Sequence, residues 1–206
     1  MSRDNQLFGM GNALMDSVLE VTDAQLESLG LQKGSMTLID EERLAALERY
    51  ADGRWVQQQC GGSAANTIIG ASQLGAKCFY SCRLGTDDVG ARYLTDLTTQ
   101  GVETAKTQSL FSQGRTGRCI VLVTPDAERT MATYLGVSAS FSQDDIDFDA
   151  LSRSKYLYME GYLVTSPDSK AAALAAKAHA EAHGVRTCFT FSDAFLVAQF
   201  REAIDA

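Results

Sequence analysis

The stretch GGSAANTI at residues 61–68 joins two glycines to a serine, two alanines and an asparagine. Glycines placed just before a helix let a ligand approach the main chain, and the first N–H groups of that helix lack intrahelical partners. Such an end suits a hydroxyl-rich or anionic ligand. Gly61 and Gly62 could equally form a packing turn, so the stretch alone leaves both interpretations open.

The metal-ligating residue types do not form a complete set. His179 and His183, the only histidines, have the i, i+4 spacing that could hold a metal from one helix face. No glutamate lies between them in an H-E-x-x-H pattern. Cys78 and Cys82 have no second pair beside them, and the five cysteines include no C-x-x-C pair. We therefore expect reduced thiols in the core and no metal site.

Two nucleotide-binding fingerprints are absent from the sequence. A strand at Phe8 leads into Gly9 and Gly11, but position 14, where a dinucleotide motif needs its third glycine, is leucine. No G-x-x-x-x-G-K-[ST] occurs, because residues 33–35 read Lys-Gly-Ser in the reverse order. Neither a dinucleotide fold motif nor a P-loop is predicted.

The composition and net charge of the chain limit the size of its core and the classes of partner that it can bind. The chain has 206 residues, of which 45% are apolar, and this is enough for one large domain, alone or with a small appendage. Its net charge of −8 argues against nucleic acid or an anionic membrane surface as the main partner. No apolar run approaches the roughly 18 residues of a membrane span, and the amino-terminal run is too interrupted for a signal peptide. We expect a cytoplasmic protein with a small-molecule ligand.

Strands and helices alternate along most of the chain. Alternating or continuous apolar runs predict strands over 6–11, 35–39, 77–85, 155–164 and 185–192. Helical periodicity predicts helices over 23–30, 40–51, 63–75, 87–101, 166–184 and 193–206, with a short one inside 141–154. Thr22 is the predicted cap of the first helix and Gly30 its stop. The alternation favours a parallel sheet with helices packed outside it.

Residues 116–136 have a different sequence pattern from the alternating strands and helices. Their β-prone residues alternate around a turn at Pro125-Asp126, which predicts a hairpin. Together with the strand near Met36, this hairpin could form a small separate sheet.

Several stretches match one family in order. GMGNALMDSVLEV, GGSAANTIIGASQLGA, RLGTDDVGARYLTDLTTQGVET, the TGRCIVLV and ERTMATYLG arms of the hairpin, YMEGYL and TFSDAF together resemble the ribokinase or PfkB-type carbohydrate kinases. Within them the chain is most similar to the adenosine kinase branch. The resemblance implies an α/β, ribokinase-like fold: a central, mostly parallel sheet flanked by helices, with a small β lid formed by segments near 17–39 and 116–136.

The resemblance also implies roles for single residues. Asp16, at the end of the first strand, would accept hydrogen bonds from two ribose hydroxyls, and Gly61, Gly62 and Asn66 would hold the remaining ones. Arg129 would lie near the transferred phosphoryl group as a catalytic residue. The residues expected around the purine are Leu14, Leu38, Met131, Thr133, Leu163 and Phe195.

Each of these roles has an ordinary alternative. Without the family, Asp16 would be taken as a helix cap and Arg129 as a solvated turn charge beside Glu128. Any one of the apolar residues could belong to the core.

The family's ATP-side motifs do not occur in this sequence. N-x-x-E, associated with magnesium, and G-A-G-D, which holds the catalytic base, are both absent from residues 1–206. The resemblance therefore implies a kinase truncated at the C-terminus, whose complete form uses ATP and Mg²⁺ to phosphorylate the 5′-hydroxyl of adenosine. We expect this chain alone to be inactive. The alternatives are a sugar kinase of ribokinase or fructokinase specificity, and a short non-catalytic binding relative. A homodimer through the lid or an exposed sheet edge is also expected.

Overall fold

The main sheet is five-stranded and parallel. The computed structural model describes residues 4–105 and 110–205. The strands of this first sheet, in chain order, are β1 Asn5–Met10, β5 Cys78–Ser81, β7 Val102–Thr104, β11 Ser154–Glu160 and β12 Arg186–Thr190. They lie in the order β12-β11-β1-β5-β7, and each neighbouring pair is parallel.

Helices cover both faces of this sheet. The helices given by the structure are α1 Asp23–Ser28, α2 Glu41–Ala51, α3 Ser63–Gln73, α4 Asp88–Thr99, α5 Phe148–Ser152, α6 Pro167–Ala182, α7 Ala194–Gln199 and α8 Arg201–Ile204, of which α3 to α6 pack on this sheet. Helices α3 and α4 pack on one face around the buried rings of Tyr80 and Tyr93. Helices α5 and α6 pack on the other, around Phe8 and Leu157. The α/β class with flanking helices, predicted from the sequence, is confirmed.

A second sheet holds the predicted hairpin. Its strands are β2 Leu14–Glu20, β3 Met36–Leu38, β4 Gln57–Gly61, β9 Gly117–Val123 and β10 Arg129–Tyr134, in the order β3-β10-β9-β2-β4. Strands β9 and β10 pair antiparallel, and Met36 of β3 pairs with Met131 of β10. Helices α1 and α2 cover one face of the sheet, α1 through Leu26 and α2 through Leu44 and Leu47. A two-stranded ribbon, β6 Leu84–Gly85 with β8 Phe111–Ser112, lies apart.

The second sheet is larger than the sequence predicted. Strands β2 and β4 were missed: β2 begins only a few residues after β1, and β4 is a polar edge strand, QQQCG, without an apolar alternation. Asp16 consequently lies inside β2 and not at the end of the first strand. The lid segments near 17–39 and 116–136 remain a prediction, although the sheet itself also includes residues 57–61.

Other predicted elements differ in their bounds. The strand over 77–85 divides into β5 and β6, and the strand over 155–164 stops at Glu160, where a 3-10 turn, Gly161–Thr165, follows. The last predicted helix divides at Phe200, whose φ of −122° is not helical, and residue 206 lies outside the described residues. Thr22 does cap α1, in a capping box with Gln25. Within the described ranges, no helix has the length and apolar character that a membrane crossing requires.

Candidate active site

A cleft of about 280 Å³ lies where the carboxyl end of the first sheet meets the inner face of the second. Asp16 and Met131 reach it from the second sheet, Glu160 from the end of β11, and Ser63 from the first turn of α3. Ligands of open α/β sheets bind in the crevice outside the carboxyl ends of the strands. The position of this cleft follows that rule.

All but two of the predicted site residues line the cleft. They are Leu14, Asp16, Leu38, Gly62, Asn66, Arg129, Met131, Thr133 and Phe195. Gly61 lies directly behind Asp16, because a Cβ at Gly61 would overlap the Asp16 carboxylate. Gly61 therefore makes room for this carboxylate and does not itself line the cleft.

Leu163 is the second exception. It is fully buried and belongs to the core cluster of the first sheet with Phe141 and Met159. The 3-10 turn that follows Glu160 brings Tyr162 into the cleft and sends Leu163 the other way, toward α6, where the Ser169 hydroxyl donates to the Leu163 carbonyl at 2.7 Å. The structure thus places Tyr162 where Leu163 was expected.

Asp16 is a half-buried carboxylate on the inner face of the second sheet. Its neighbours in the sheet are Cys119 of β9 and Gln59 of β4. Burial raises the pKa of Asp16 to about 6, and the positive charge of Arg129 opposes that rise. A carboxylate in this setting accepts hydrogen bonds and, near neutral pH, can also exchange a proton.

Arg129 stands at the mouth of the cleft. It is the first residue of β10 and is exposed, yet its charge acts on both Asp16 and Cys119. Cys119 itself is buried, and burial together with the charge of Asp16 raises the pKa of its thiol to about 11. Arg129 therefore brings a positive charge to the cleft near the Asp16 carboxylate.

The start of α3 has a backbone conformation that requires glycine. Gly62, its N-cap, has a φ of +106°, which a residue with a side chain rarely adopts. A Cβ there would also overlap the carbonyl oxygen of Asn12. The Ala64 N–H, expected to be open to a ligand, instead donates to Glu160 Oε2 at 2.7 Å. This start of the helix is therefore partly occupied by the protein's own carboxylate.

Glu160 is a buried acid at the cleft that was not predicted from the sequence. Its side chain is 0% exposed, and its Oε1 accepts the Asn12 N–H at 2.8 Å. Burial raises its pKa to about 7, and the hydrogen bonds from Asn12 and Ala64 oppose that rise. A single acidic residue at the end of the apolar run YLYMEGY was the available signal. Other lining residues that were not predicted are Asn12, Met36, Ser63, Cys119, Val121, Leu135, Tyr162, Thr165 and Leu196.

The histidine pair lies outside this cleft and supports helix packing. The His179 and His183 rings stack with centroids 4.1 Å apart, and His179 Nε2 lies 2.7 Å from the Ser152 hydroxyl of α5. Across residues 4–105 and 110–205, no three histidine, cysteine or acidic side chains converge as metal ligands would.

Comparison with known proteins decides the family. The model of the pfkB family of carbohydrate kinases matches residues 26–206, which include the α3 start, both arms of the hairpin and Glu160. The chain belongs to this pfkB family.

Similar proteins in this family include two described as adenosine kinases. The Schizophyllum commune adenosine kinase is 30% identical over 97% of this chain and 58% of its own length. The adenosine kinase structure from Sinorhizobium meliloti is 34% identical, with a TM-score of 0.86 over 97% of this chain and 60% of that one. A probable sugar kinase from Rhizobium etli CFN 42 is 33% identical, with a TM-score of 0.89 over 99% of this chain and 61% of that one. The chain therefore spans about three fifths of the length of these pfkB relatives.

Proposed function

We propose that the complete protein is a nucleoside kinase that transfers the terminal phosphoryl group of ATP to the 5′-hydroxyl of adenosine. The observation that carries this proposal is the cleft, in which the carboxylate of Asp16 lies among apolar side chains of the second sheet. Two similar pfkB proteins are described as adenosine kinases. In this proposal, the described residues form the acceptor half of the active site.

Asp16 is the proposed anchor for the ribose. An ionised carboxylate only accepts hydrogen bonds, and its two oxygens can bind two neighbouring hydroxyls at once. Asn66 lies in the first turn of α3. Its side-chain amide both donates and accepts hydrogen bonds, so it suits a further sugar hydroxyl. This pairing fixes the sugar and leaves its 5′ end free to point away from Asp16.

Arg129 is the proposed electrostatic group. Phosphoryl transfer builds negative charge on the moving group, and a guanidinium near that charge stabilises the transition state. Bound ATP with Mg²⁺ would supply the phosphoryl group. Arg129 would then favour the approach of its anionic phosphates to the mouth of the cleft.

The apolar walls favour a nucleoside over a free sugar. Leu38 is 61% exposed and Phe195 is 56% exposed, although both line the cleft together with Leu14 and Met131. A purine would cover these side chains, and an aromatic contact with a base contributes about 1–3 kcal/mol. A free pentose has no apolar face to offer them.

Calorimetric titration of this chain with adenosine, with ribose and with ATP–Mg²⁺ tests the proposal. We expect adenosine to bind, ribose to bind much more weakly, and ATP to bind negligibly, because neither N-x-x-E nor G-A-G-D occurs in the sequence. Ribose binding as tight as adenosine binding would favour a sugar kinase. Tight ATP binding would show that the nucleotide site is misplaced.

Asp16→Asn gives the residue-level test. The change keeps the shape and removes a charged acceptor, so adenosine affinity should fall by about 1.5–3 kcal/mol. Glu42→Gln is the matched control, because Glu42 is an exposed acid on α2, on the other side of the second sheet from the cleft. Equal losses in the two variants would remove Asp16 from the site.

A further inference from the structure

One buried carboxylate joins the two backbone segments that carry the cleft. Glu160 Oε1 accepts the N–H of Asn12 at 2.8 Å, and its Oε2 accepts the N–H of Ala64 at 2.7 Å. Asn12 lies in the loop from β1 to β2, and Ala64 lies in the first turn of α3. Glu160 itself ends β11, so a third element holds the other two together.

Packing fixes this carboxylate from several sides. A Cβ at Gly11 would lie 2.5 Å from Glu160 Cδ, so Gly11 leaves only enough space for the carboxylate. Tyr80 donates its hydroxyl to the Asn12 carbonyl at 3.2 Å, and a Cβ at Gly62 would overlap that same oxygen. Glu160 and Tyr80 therefore hold the backbone of Asn12 from its N–H and its carbonyl.

The two segments lead directly to the proposed sugar contacts. The loop with Asn12 continues into β2, where Asp16 lies. Ala64 lies between Gly62, the N-cap of α3, and Asn66 in the first turn of that helix. We propose that Glu160 is a positioning residue whose ionised carboxylate sets the distance between Asp16 and the start of α3. This inference rests on the proposed function, because it gives Glu160 a part in acceptor binding without any contact to the acceptor.

The charge state of Glu160 decides whether this link is complete. Both of its oxygens accept an N–H, and a protonated carboxyl would turn one of those oxygens into a donor facing a donor. The titratable groups that face it are the hydroxyls of Tyr80 and Tyr162, and burial raises the pKa of both. These phenols stay neutral around pH 7, so Glu160 is the group of this cluster that changes charge there.

Stability and binding should respond to Glu160 in opposite directions. Its pKa is raised to about 7, above the ordinary value of about 4.3. The protonated form therefore stabilises the fold below its unfolded pKa, and that contribution is lost as the pH rises through about 7. In this proposal, adenosine binding needs the ionised form of Glu160. The affinity for adenosine should therefore rise over the same pH interval. A purely structural role would not couple a gain in binding to a loss in stability.

The test compares wild type, Glu160→Gln and Glu42→Gln by adenosine calorimetry and urea unfolding from pH 5 to pH 9. Glutamine can accept only one of the two N–H groups, so we expect about a tenfold loss of affinity at pH 8 in Glu160→Gln. In Glu160→Gln, the increase in adenosine affinity around pH 7 should disappear. The increase around pH 6, which results from ionisation of Asp16, should remain. Glu42→Gln should match the wild type. Wild-type affinity in Glu160→Gln at pH 8 would overturn the proposal.

A second variant covers the case in which Glu160→Gln does not fold. Gly11→Ala keeps the carboxylate but displaces it, so we expect a similar loss of adenosine affinity. Unchanged affinity in a folded Gly11→Ala would also contradict the role of Glu160.

Amide hydrogen exchange separates this inference from the proposed function. In ligand-free wild type, the Asn12 and Ala64 amides should lose protection as the pH falls below 7, after correction for intrinsic exchange, and they should be less protected in Glu160→Gln at pH 8. If these amides respond but the chain does not bind adenosine, the proposed function fails while the carboxylate link stands. If they do not respond, the link itself is wrong.

Discussion

Two acids in one cleft with different partners show how single residues shape the site. Asp16 faces the cleft with Arg129 as its opposing charge, whereas each carboxylate oxygen of Glu160 accepts a backbone N–H. Burial raises both pKa values, but only Asp16 has a cation beside it. This difference supports the proposal that Asp16 binds the ligand and that Glu160 holds the protein backbone.

Removing the cation should move the titration of Asp16. In Arg129→Gln, the pKa of Asp16 should rise further above about 6, because Arg129 now opposes the effect of burial. The raised pKa means that ionised Asp16 costs stability in the empty protein, and this cost appears as the pH rises through about 6. Adenosine binding uses the ionised form, so its lower pH midpoint should shift upward in the variant.

Calorimetry of adenosine binding from pH 5 to pH 8 measures that midpoint. Arg49→Gln is the matched control. Arg49 is exposed on α2, so this substitution removes the same charge far from Asp16. A midpoint that stays in place in Arg129→Gln, or moves equally in Arg49→Gln, would show that Arg129 does not act on Asp16.

Site residues could be predicted where a local sequence pattern or the family resemblance indicated their role. The glycine pair before a helix indicated the start of α3, and the resemblance indicated Asp16 and Asn66. Glu160 could not be found in this way, because its partners Asn12 and Ala64 lie far from it in the sequence. The direction of a side chain in a 3-10 turn is equally invisible, which is why Leu163 was expected in the place of Tyr162.

Elements were predictable where capping and periodicity agreed. The predicted cap Thr22 and the helical periodicity over 87–101 predicted helices close to the observed α1 and α4. Strand β4 was not predictable, since its three glutamines lie at a sheet edge, where no buried face imposes an alternation. The second sheet is thus defined by long-range pairing more than by local pattern.

The start of α3 is the element on which the site depends most. In Gly62→Ala, the new Cβ would overlap the Asn12 carbonyl at a φ of +106°, so we expect a loss of about 1–3 kcal/mol in the free energy of unfolding. Adenosine affinity should fall as well, because the shift displaces Asn66 and the N-terminal turn. Urea unfolding and calorimetry measure the two effects.

Gly70→Ala is the control within the same helix. A Cβ at Gly70 meets nothing within 4 Å, and its backbone is helical, so this change should stabilise the protein by about 0.5–1 kcal/mol. Equal stability in the two variants would mean that the positive-φ conformation at Gly62 is not required.

At the scale of the whole molecule, the β12 edge of the first sheet lies next to exposed apolar side chains in the described structure. Strand β12 pairs only with β11, so it forms an edge of the parallel sheet. Phe191 is 57% exposed just after this strand, and Phe195 and Val197 are exposed nearby in α7. Unpaired strand edges next to apolar surface are templates for association.

We therefore expect the 1–206 chain to self-associate in solution through the β12 edge. Sedimentation velocity over a concentration series should show a reversible rise in mass. Thr187→Lys, which places a charge at an exposed position of β12, should shift the chain toward monomer, since charged side chains on an edge strand oppose pairing. Thr37→Lys is the matched control, because Thr37 is exposed on β3, an edge of the other sheet. A monomeric wild type would overturn the prediction, and monomerisation by Thr37→Lys alone would move the contact to the second sheet.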